Sequence, residues 1–444
     1  MKENSRRDFI KKTTLATAGI SMASSLSAAS YNRIIGANDR LNVAFIGLGR
    51  RVGAYVPSLE KKNNVRLAYL CDVKKSQIDK AMGELKSIIS YTPKTTEDMQ
   101  EIFVDKEVDA IFNATPDHWH APGSWMAMQQ GKHVYVEKPC SHNPWEGELL
   151  VQYAKKYNKV IQMGNQQRSS QHTIEIIKEI HNGLIGEPYK AVAYYNNSRG
   201  EVPQRIQQAP PSDLNWDLWQ GPAPREDYRH DTWNYNWHWY GWKWGTAESG
   251  NNAMHELDIA RWALQVEFPN KITTEAGKRH YKEDGWEMYD TMYATFDFDN
   301  EKVINWDGKS RNGYTTYTGG RGTLIFGSEG TVLVDRDHFK VFDRRGRLLK
   351  ELSSGSSEGG LALGGGGDTS TNHVLNFFDA VRGKAKLNSP IDEGAKSTLL
   401  CHLANISSRL NKTLELDSSN GHIFDREGMK LWRREYAPGF EPKL

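Results

Sequence analysis

The fold follows from one stretch of sequence, LNVAFIGLGRRVG, which spans residues 41–53. Its apolar first half predicts a β-strand that runs directly into the glycine turn Gly47-Leu48-Gly49. We expect a helix from Arg51 to Lys61 and then a second strand, Val65 to Leu70, with Asp72 just beyond it. Glycines in such a turn let the backbone approach a pyrophosphate, and the acid accepts the ribose hydroxyls of an adenosine. The stretch therefore predicts a Rossmann unit that binds a nicotinamide dinucleotide.

The same residues bear on the choice between NAD and NADP, which the sequence leaves open. Asp72 favours NAD, because it can accept both hydroxyls of the adenosine ribose. Arg50 and Arg51, helped by two lysines just after Asp72, are able to hold the 2′-phosphate of NADP instead. Gly53 stands one position later than the third glycine of G-x-G-x-x-G, so the first helix is expected to begin differently.

Alternating strands and helices continue as far as residue 163 and predict an α/β domain with a parallel, doubly wound sheet. Three helices are expected: one that Thr96 caps and that runs to about Asp105, one from Trp119 to Gln130, and one capped by Asn143-Pro144. The strands that alternate with them are Asp109 to Ala114, His133 to Val136 and Val160 to Met163. Ligands of such sheets bind at the carboxyl ends of the strands. At that edge we expect Asp72, Thr115, Glu137 and Lys138.

Length and composition predict two globular domains. The chain has 444 residues, too many for one ordinary core, and 25% of them are charged and 11% aromatic. We place the Rossmann domain at residues 38–163, a second domain at 164–411 and a tail at 412–444. In the second domain, alternating stretches at 189–195, 289–298, 303–306, 322–326 and 332–334 predict a large open, mostly antiparallel sheet in an α+β arrangement.

Two further segments of the second domain have their own patterns. Ser354 to Thr371 is rich in glycine and serine and predicts a mobile loop. Ser397 to Leu410 has the apolar periodicity of a closing helix, which we expect to pack near the first domain.

Charge and cysteine content exclude several classes of partner. The net charge of +2 gives no reason to expect nucleic acid or an anionic membrane, and no apolar stretch after residue 30 is long enough to span a bilayer. The three cysteines, Cys71, Cys140 and Cys401, lack metal-ligand spacing. We expect them to be buried, small apolar residues.

Residues 1–29 predict a twin-arginine export signal. The motif Ser5-Arg6-Arg7-Asp8-Phe9-Ile10-Lys11 precedes an uncharged stretch, and Ser27-Ala28-Ala29 is a small-residue cleavage site. The alternative is a basic amphipathic helix, but the stretch has no charged face. Because this route carries folded proteins, we expect a periplasmic enzyme that leaves the cytoplasm with its cofactor tightly held.

The motifs of the first half carry a resemblance to a known family. With Ala114-Thr115-Pro116, His120, Gly131-Lys132-His133-Val134 and Glu137-Lys138-Pro139, the chain resembles the Gfo/Idh/MocA family of sugar and inositol oxidoreductases. The resemblance implies a C-terminal sheet that covers the nicotinamide end of the cofactor. The twin-arginine leader gives a partial likeness to the NAD-dependent glycosidases of family 109, which typically lack the lysine that this chain keeps.

The resemblance also implies two catalytic residues. Lys138 takes the place of the family lysine beside the nicotinamide and the substrate hydroxyl. A lysine beside an oxidised nicotinamide is a suitable base, because the neighbouring positive charge disfavours its protonated form. His255 and Asp258 match the motif D-x-G-x-H-x-x-D, whereas Asn251 replaces the usual acid and Ala253 the usual glycine. On a helix from Asn251 to Leu264 these side chains share one face, so Asp258 either fixes the tautomer of His255 or makes a structural contact.

The remaining candidates line the expected cleft. The loop Asp117 to His120 is expected to line the cofactor pocket, and the spacing of His118 and His120 makes a metal the weaker alternative because no third ligand is near. The aromatic segment Trp233 to Trp244 predicts either a sugar-binding surface or a buried loop or subunit contact. The predicted cofactor-binding residues are Gly47, Leu48, Gly49, Arg50, Arg51, Asp72, Thr115, Pro116, Asp117, His120, Glu137 and Asn165. The predicted substrate-binding residues are Arg168, Trp237, His238, Asn251 and Asp258, and no metal is expected.

Together these features predict an NAD-dependent oxidoreductase that acts on a ring hydroxyl or ketone of a sugar, glycoside or cyclic polyol, with glycoside C3 as one specific case. One alternative is a redox-neutral glycosidase, and a second is a non-catalytic protein that binds a sugar or nucleotide. The expected partner is a small carbohydrate, and we expect a homo-oligomer.

Overall fold

The computed structural model describes residues 39–317, 319–353 and 368–443. The predicted export signal therefore lies outside the described residues, as does most of the predicted glycine-serine loop. That loop ends earlier than expected, because a helix begins at residue 368. In the part of the chain that is described, no helix is both long and apolar enough to cross a bilayer.

The first sheet confirms the predicted Rossmann architecture. Its strands are β1 (Leu41–Ile46), β2 (Val65–Cys71), β3 (Lys94–Thr96), β4 (Ala110–Asn113), β5 (His133–Val136) and β6 (Ile161–Met163). All pair in parallel in the order β3-β2-β1-β4-β5-β6. The order reverses direction between β1 and β4, and ligands of doubly wound sheets bind at the carboxyl ends beside that point.

Helices cross over between these strands and lead out of the first sheet. They are α1 (Lys75–Leu85), α2 (Met99–Val104), α3 (Asp117–Gln129), α4 (Pro144–Tyr157) and α5 (Gln171–His181). Asn143 caps α4 as predicted, its side chain accepting from Glu146 N at 3.2 Å. The predicted cap of α2 was wrong by two residues: Asp98 is the cap, and Thr96 is the last residue of β3.

The predicted helix from Arg51 to Lys61 is wrong. The chain instead forms short 3₁₀ turns at Val52–Ala54, Val56–Leu59 and Lys61–Asn63. Arg51 precedes the first turn without a side-chain cap. Pro57 removes a backbone donor and Gly53 disfavours helix, so a continuous α-helix is weakly supported here.

The second half forms a sheet with the order β14-β13-β12-β11-β7-β10-β9-β8-β15. The strands are β7 (Pro188–Asn196), β8 (Lys271–Gly277), β9 (Thr291–Asp297), β10 (Val303–Lys309), β11 (Arg321–Gly327), β12 (Gly330–Val334), β13 (His338–Asp343), β14 (Leu348–Ser353) and β15 (Leu414–Glu415). Only β7 and β10 pair in parallel among these described strands, so the mostly antiparallel prediction is confirmed. The pattern missed β8 and the strands from β13 onward.

Helices of the second half bind the two sheets together. They are α6 (Trp216–Gln220), α7 (Met254–Leu264), α8 (Asp368–Val381), α9 (Ile391–Leu410) and α10 (Arg426–Lys430). α7 packs on β7 and β11, and α9 packs against α4 as expected. α8 returns to the first domain, where Phe377 and Phe378 each lie 5.8 Å from the ring of Phe112 on β4. The three cysteines are free and buried, as predicted.

Replacement of Gly47 by alanine should destabilise this fold. Gly47 has φ +84°, and a Cβ built on it would lie 2.5 Å from the carbonyl oxygen of Ala114. We expect a loss on the order of 2 kcal/mol in the free energy of unfolding, measured by urea titration of nucleotide-free protein. Gly49→Ala is the matched control, because its Cβ would meet nothing within 4 Å. Equal losses for the two variants would contradict this account of the turn.

Candidate active site

The glycine turn is held by the acid at the end of the second strand. Asp72 accepts hydrogen bonds from Leu48 N at 2.7 Å and from Lys74 N at 2.8 Å, one on each carboxylate oxygen. Burial raises the pKa of Asp72 to about 6, although these hydrogen bonds oppose the shift. Each carboxylate oxygen keeps a free lone pair, so the group can still accept ribose hydroxyls.

An ion pair joins the glycine turn to the end of β5. Arg51 Nε and Tyr55 Oη donate to Glu137 Oε1 at 2.7 and 2.8 Å. Burial opposes ionisation of Glu137, but Arg51 and these hydrogen bonds hold its pKa below the usual value. Arg51 and Glu137, both predicted to bind cofactor, therefore bind each other. Their ion pair connects the glycine turn to the carboxyl end of β5.

Lys138 lies between the two domains. Its Nζ donates to the carbonyl oxygen of Asn251 at 2.5 Å and lies 3.4 Å from the Asn251 amide oxygen. Burial lowers the pKa of Lys138 to about 8, against the attraction of Asp117 and Glu137. A lysine with that pKa has a substantial neutral fraction near neutral pH and can accept a proton there.

The partner of Lys138 is held by a buried carboxylate that the sequence analysis missed. Ser249–Ala253 forms a π-helical turn, a feature often found at functional sites. Glu248 stands just before it and is 3% exposed. Its carboxylate accepts from Trp239 Nε1, Asn251 Nδ2, Asn252 Nδ2 and Ser310 Oγ at 2.8–3.0 Å. Asn251, predicted to contact substrate, is thus fixed from Glu248 and holds Lys138. Only a charged residue close to the motif pointed to Glu248.

His255 lies on α7 near Lys138, and no hydrogen bond reaches its ring from the described residues. Burial lowers its pKa well below the usual value, and the charges of Arg336 and Lys138 add to that shift. His255 is therefore neutral, with ring nitrogens available to a ligand hydroxyl.

Asp258 and Arg168 form a buried ion pair away from His255. Arg168 donates from Nε and Nη2 to the two oxygens of Asp258 at 2.8 and 2.9 Å, and Ser397 Oγ donates to the same carboxylate at 2.6 Å. Asp258 does not orient the histidine, although their spacing on one helix face suggested it. Arg168 and Asp258 were expected to contact substrate. The structure instead pairs their charges with each other.

The loop that begins α3 meets the second domain. Asp117 accepts from Thr246 N and Oγ1 at 3.1 and 2.5 Å, and burial raises its pKa. The ring nitrogens of His120 lie 2.6 Å from Pro139 O and 2.7 Å from Thr115 O. His118 Nε2 lies 2.9 Å from Trp219 O. The two histidines therefore face different groups, and the described residues contain no cluster of three or more metal-ligating side chains.

A segment of the second domain, residues 213–238, crosses the open edge of the Rossmann pocket, and we call it the strap. Its first residues pair with the chain just after Asp72: Lys75 N donates to Asp213 O at 2.9 Å, and Asn215 N to Val73 O at 2.8 Å. Further along, the Trp233 ring lies 4.9 Å from Lys74 Nζ, and the Tyr235 ring lies 4.2 Å from the Arg50 guanidinium. The strap thus contacts both the acid end and the glycine turn.

The last part of the strap faces the catalytic candidates. The rings of Trp237 and His238 stack at 3.6 Å. Burial lowers the pKa of His238 well below its usual value, and the charge of Lys138 contributes. Of the two interpretations of this aromatic segment, His238, Trp239, Tyr240 and Trp244 fit the buried loop, whereas Trp237 is partly exposed.

Several observations fit a dinucleotide in this pocket. Gly47 approaches Ala114 so closely that only glycine fits, while space is open around Gly49. Asn165, just after β6, has both side-chain polar atoms buried without a protein partner. Such orphaned groups are rare unless a ligand or water satisfies them. Thr115 Oγ1 donates to Asn113 Oδ1 at 2.6 Å, and Pro116 caps α3, so both shape the backbone at the carboxyl end of β4.

Removal of either partner of the Arg168–Asp258 pair should destabilise the protein. Breaking a buried ion pair leaves an unpaired charge, so Arg168→Met and Asp258→Asn are each expected to lower the free energy of unfolding by about 3–5 kcal/mol. The double variant should lose less than the sum of the two. Arg347→Met, which breaks an exposed pair with Asp343, is the control and should cost under about 1 kcal/mol. Unchanged stability with a raised KM would return Arg168 to the substrate site.

Comparison with known proteins agrees with this fold and pocket. Residues 41–165 match the family model GFO_IDH_MocA, described as "Oxidoreductase family, NAD-binding Rossmann fold". Glycosyl hydrolase family 109 proteins of Shewanella putrefaciens and Shewanella baltica are 24% identical over 251 and 253 residues, which cover 52% of this chain and 50% of theirs. The chain therefore spans about half the length of the curated relatives it matches.

Solved structures share the architecture of both domains. The WlbA dehydrogenase from Bordetella pertussis, in complex with NADH and UDP-GlcNAcA, is 16% identical with a TM-score of 0.62 and covers 85% of this chain and 99% of its own. The aldose-aldose oxidoreductase of Caulobacter crescentus and the myo-inositol 2-dehydrogenase of Lactobacillus plantarum are each 18% identical, with a TM-score of 0.62 over 85% of this chain and 100% of theirs. The predicted resemblance is confirmed: residues 41–165 match the NAD-binding Rossmann domain of the Gfo/Idh/MocA oxidoreductases, and both domains share the fold of solved oxidoreductases.

Proposed function

We propose that the protein is an exported, NAD-dependent oxidoreductase that interconverts a ring hydroxyl and a ketone of a sugar, glycoside or cyclic polyol. The observation that carries the proposal is the position of Lys138, whose half-buried side chain lies between the domains and donates to the carbonyl oxygen of Asn251. Desolvation there lowers its pKa to about 8. The relatives add support for the substrate class, because an inositol dehydrogenase and an aldose-aldose oxidoreductase share this architecture.

The residues divide the reaction between them. NAD, when bound, supplies the hydride acceptor. Lys138 in its amine form accepts the hydroxyl proton at Nζ, and the carbonyl of Asn251 holds the amine in position. In this proposal neutral His255 donates a hydrogen bond to the same substrate oxygen. The ring of Trp237, partly exposed and stacked on the buried His238, offers its outer face as a flat apolar surface against which a sugar ring can pack.

The strap supports a tightly held cofactor. It is anchored on the Rossmann domain by the ion pair of Lys74 Nζ with Asp213 at 2.5 Å and by the contacts of Trp233 and Tyr235. A dinucleotide beneath these contacts leaves only when they separate. Retention suits an enzyme that is exported by the twin-arginine route, because free NAD is not expected outside the cytoplasm. A retained cofactor must be re-set by a second substrate or a later step.

A redox-neutral glycosidase is the second candidate, favoured by the family 109 relatives. In that reaction, oxidation of a glycoside at C3 acidifies the neighbouring C–H and leads to elimination of the aglycone. Incubation with aryl glycosides without added cofactor or acceptor separates the two: catalytic release of the aglycone favours the glycosidase, and a stable keto-glycoside favours the oxidoreductase.

Replacement of Lys138 should remove the pH-dependent step. In the oxidation direction the base must be deprotonated, so the wild-type rate should rise with pH through about 8 and then level off. Lys138→Met should lower kcat about 10²–10⁴-fold and abolish this rise, as measured by ketone formation across pH. Lys106→Met, at an exposed lysine, is the control. A Lys138→Met enzyme with the wild-type profile would contradict the assignment.

Cofactor retention is tested by mass spectrometry of the nucleotide released on denaturing the purified protein. We expect about one NAD per wild-type chain after gel filtration, and markedly less for Trp233→Ala combined with Tyr235→Ala, because both strap contacts are lost. Tyr314→Ala, at an exposed tyrosine, should retain the wild-type amount. A wild-type protein free of nucleotide, or strap variants that keep all of it, would overturn the retention proposal.

A further inference from the structure

Two arginines lie at the same end of the paired strands β11 and β12. Arg321 is the first residue of β11, and Thr323 two residues later is opposite Val334, the last residue of β12. Arg336 lies two residues beyond Val334, in the connection between β12 and β13. On its other side Arg321 pairs with Tyr195 of β7, over whose ring its guanidinium lies at 5.3 Å. The two positive charges repel each other, since Arg321 contributes to lowering the pKa of Arg336, and an anion would relieve that repulsion.

The protein supplies too few carboxylates for these cations. Glu256 is engaged by Arg321, whose Nε donates to it at 2.5 Å, and Glu137 is engaged by Arg51. Within the described residues Arg336 has neither an ion pair nor a hydrogen bond. The aspartates on either side of it do not compensate, because Asp335 is bound by His338 and Asp337 forms no ion pair with Arg336 in this part of the chain.

Guanidinium nitrogens without acceptors also indicate that the protein supplies too few anionic groups here. Arg51 Nη2 and Arg321 Nη2 are buried nitrogens without a hydrogen-bond acceptor, although Arg321 Nη2 lies 2.5 Å from Glu256 Oε1 in poorly aligned ion-pair contact. Burial lowers the pKa of Arg336 to about 9, and Arg321 adds to that shift. Buried guanidinium donors without acceptors are costly and are the groups that bind carboxylate, sulfate or phosphate.

This arginine pair adjoins the catalytic candidates. Arg336 and Arg321 lie near enough to His255 and to Lys138 that their charges lower the pKa of each. The glycine turn and Asp72, which receive the phosphate and adenosine parts of the cofactor, belong to the other domain. Arg321 donates to Glu256, the residue that follows His255 on α7, so an anion bound by Arg321 and Arg336 lies beside His255. Arg51 of the glycine turn also contributes to the pKa shift of Arg336, and the test below therefore includes the cofactor phosphates as an outcome.

We propose that Arg321 and Arg336 form a binding subsite for an oxyanion carried by the substrate, so that the enzyme selects acidic sugars or glycosides over neutral ones. This inference rests on the proposed function for the nature of the substrate and deepens it by naming the charge. Arg336 supplies a guanidinium group that has no protein partner among the described residues. Arg321, held in place by Glu256, supplies the second guanidinium group of the site. The anion offsets the repulsion between the two guanidinium groups, which a neutral sugar does not.

The test is binding without turnover. The NAD-loaded wild-type protein is titrated calorimetrically with matched pairs, D-glucose against D-glucuronate and D-galactose against D-galacturonate, and with inorganic sulfate and phosphate. We expect at least one acid to bind about tenfold or more tightly than its neutral partner, and the inorganic anions to compete with it. Arg336→Met should abolish the difference, Arg336→Lys should keep part of it, and Arg344→Met, at an exposed arginine, should keep all of it.

The ligand-free variants give a second readout. Arg336→Met removes an unpaired cation, so its free energy of unfolding should equal or exceed that of the wild type, whereas a purely structural arginine would lower it. Equal binding of acidic and neutral sugars, no binding of any anion, or an acid preference that survives Arg336→Met would overturn the proposal. Loss of bound NAD from Arg336→Met, with the acid preference intact, would assign the arginines to the cofactor phosphates instead. Because the experiment measures binding and not turnover, it tests the anion subsite even if the oxidoreductase proposal fails.

Discussion

The hydrogen bond from Lys138 to the carbonyl of Asn251 is the contact on which the rest of the site depends. It joins the end of β5 in the Rossmann domain to the π-helical turn that begins α7 in the second domain. A buried ammonium group is costly without a partner, so the bond fixes the position of Lys138 while burial lowers its pKa. The same contact therefore sets both the geometry of the cleft and the chemistry available in it.

Charged groups around this contact have protein partners on the cofactor side and lack some of them on the substrate side. Glu137 and Arg51 close the cofactor side, and Glu248 fixes Asn251 through its network of hydrogen bonds. On the substrate side the pairing is incomplete, because Arg336 has no partner among the described residues. Asn165 is a second group near the cofactor pocket whose buried polar atoms have no protein partner among the described residues.

Local sequence patterns predicted five of the six strands of the Rossmann sheet, because each of the five contains an apolar run, and they missed the short polar strand β3. The patterns failed where contacts between residues far apart in the sequence determine the local structure. The chain after Gly49 is not a helix, since Pro57 interrupts it and both Arg51 and Tyr55 reach Glu137. Spacing linked Asp258 to His255, but Arg168 and Ser397 bind it from elsewhere in the chain. The roles of Lys138 and His255 came from the family resemblance rather than from periodicity. For Glu248 the one local signal was its charge close to the motif, and Arg336 carried no local signal.

The central claim is that Lys138 titrates near neutral pH inside the assembled cleft. The most direct measurement is the NMR titration of the Lys138 side chain in NAD-loaded protein labelled with ¹³C at lysine Cε, with the signal assigned by its absence in Lys138→Arg. The account predicts a midpoint at about pH 8. A midpoint near the ordinary lysine value of about 10.4 would show a fully protonated ammonium and would contradict a role for Lys138 as the base.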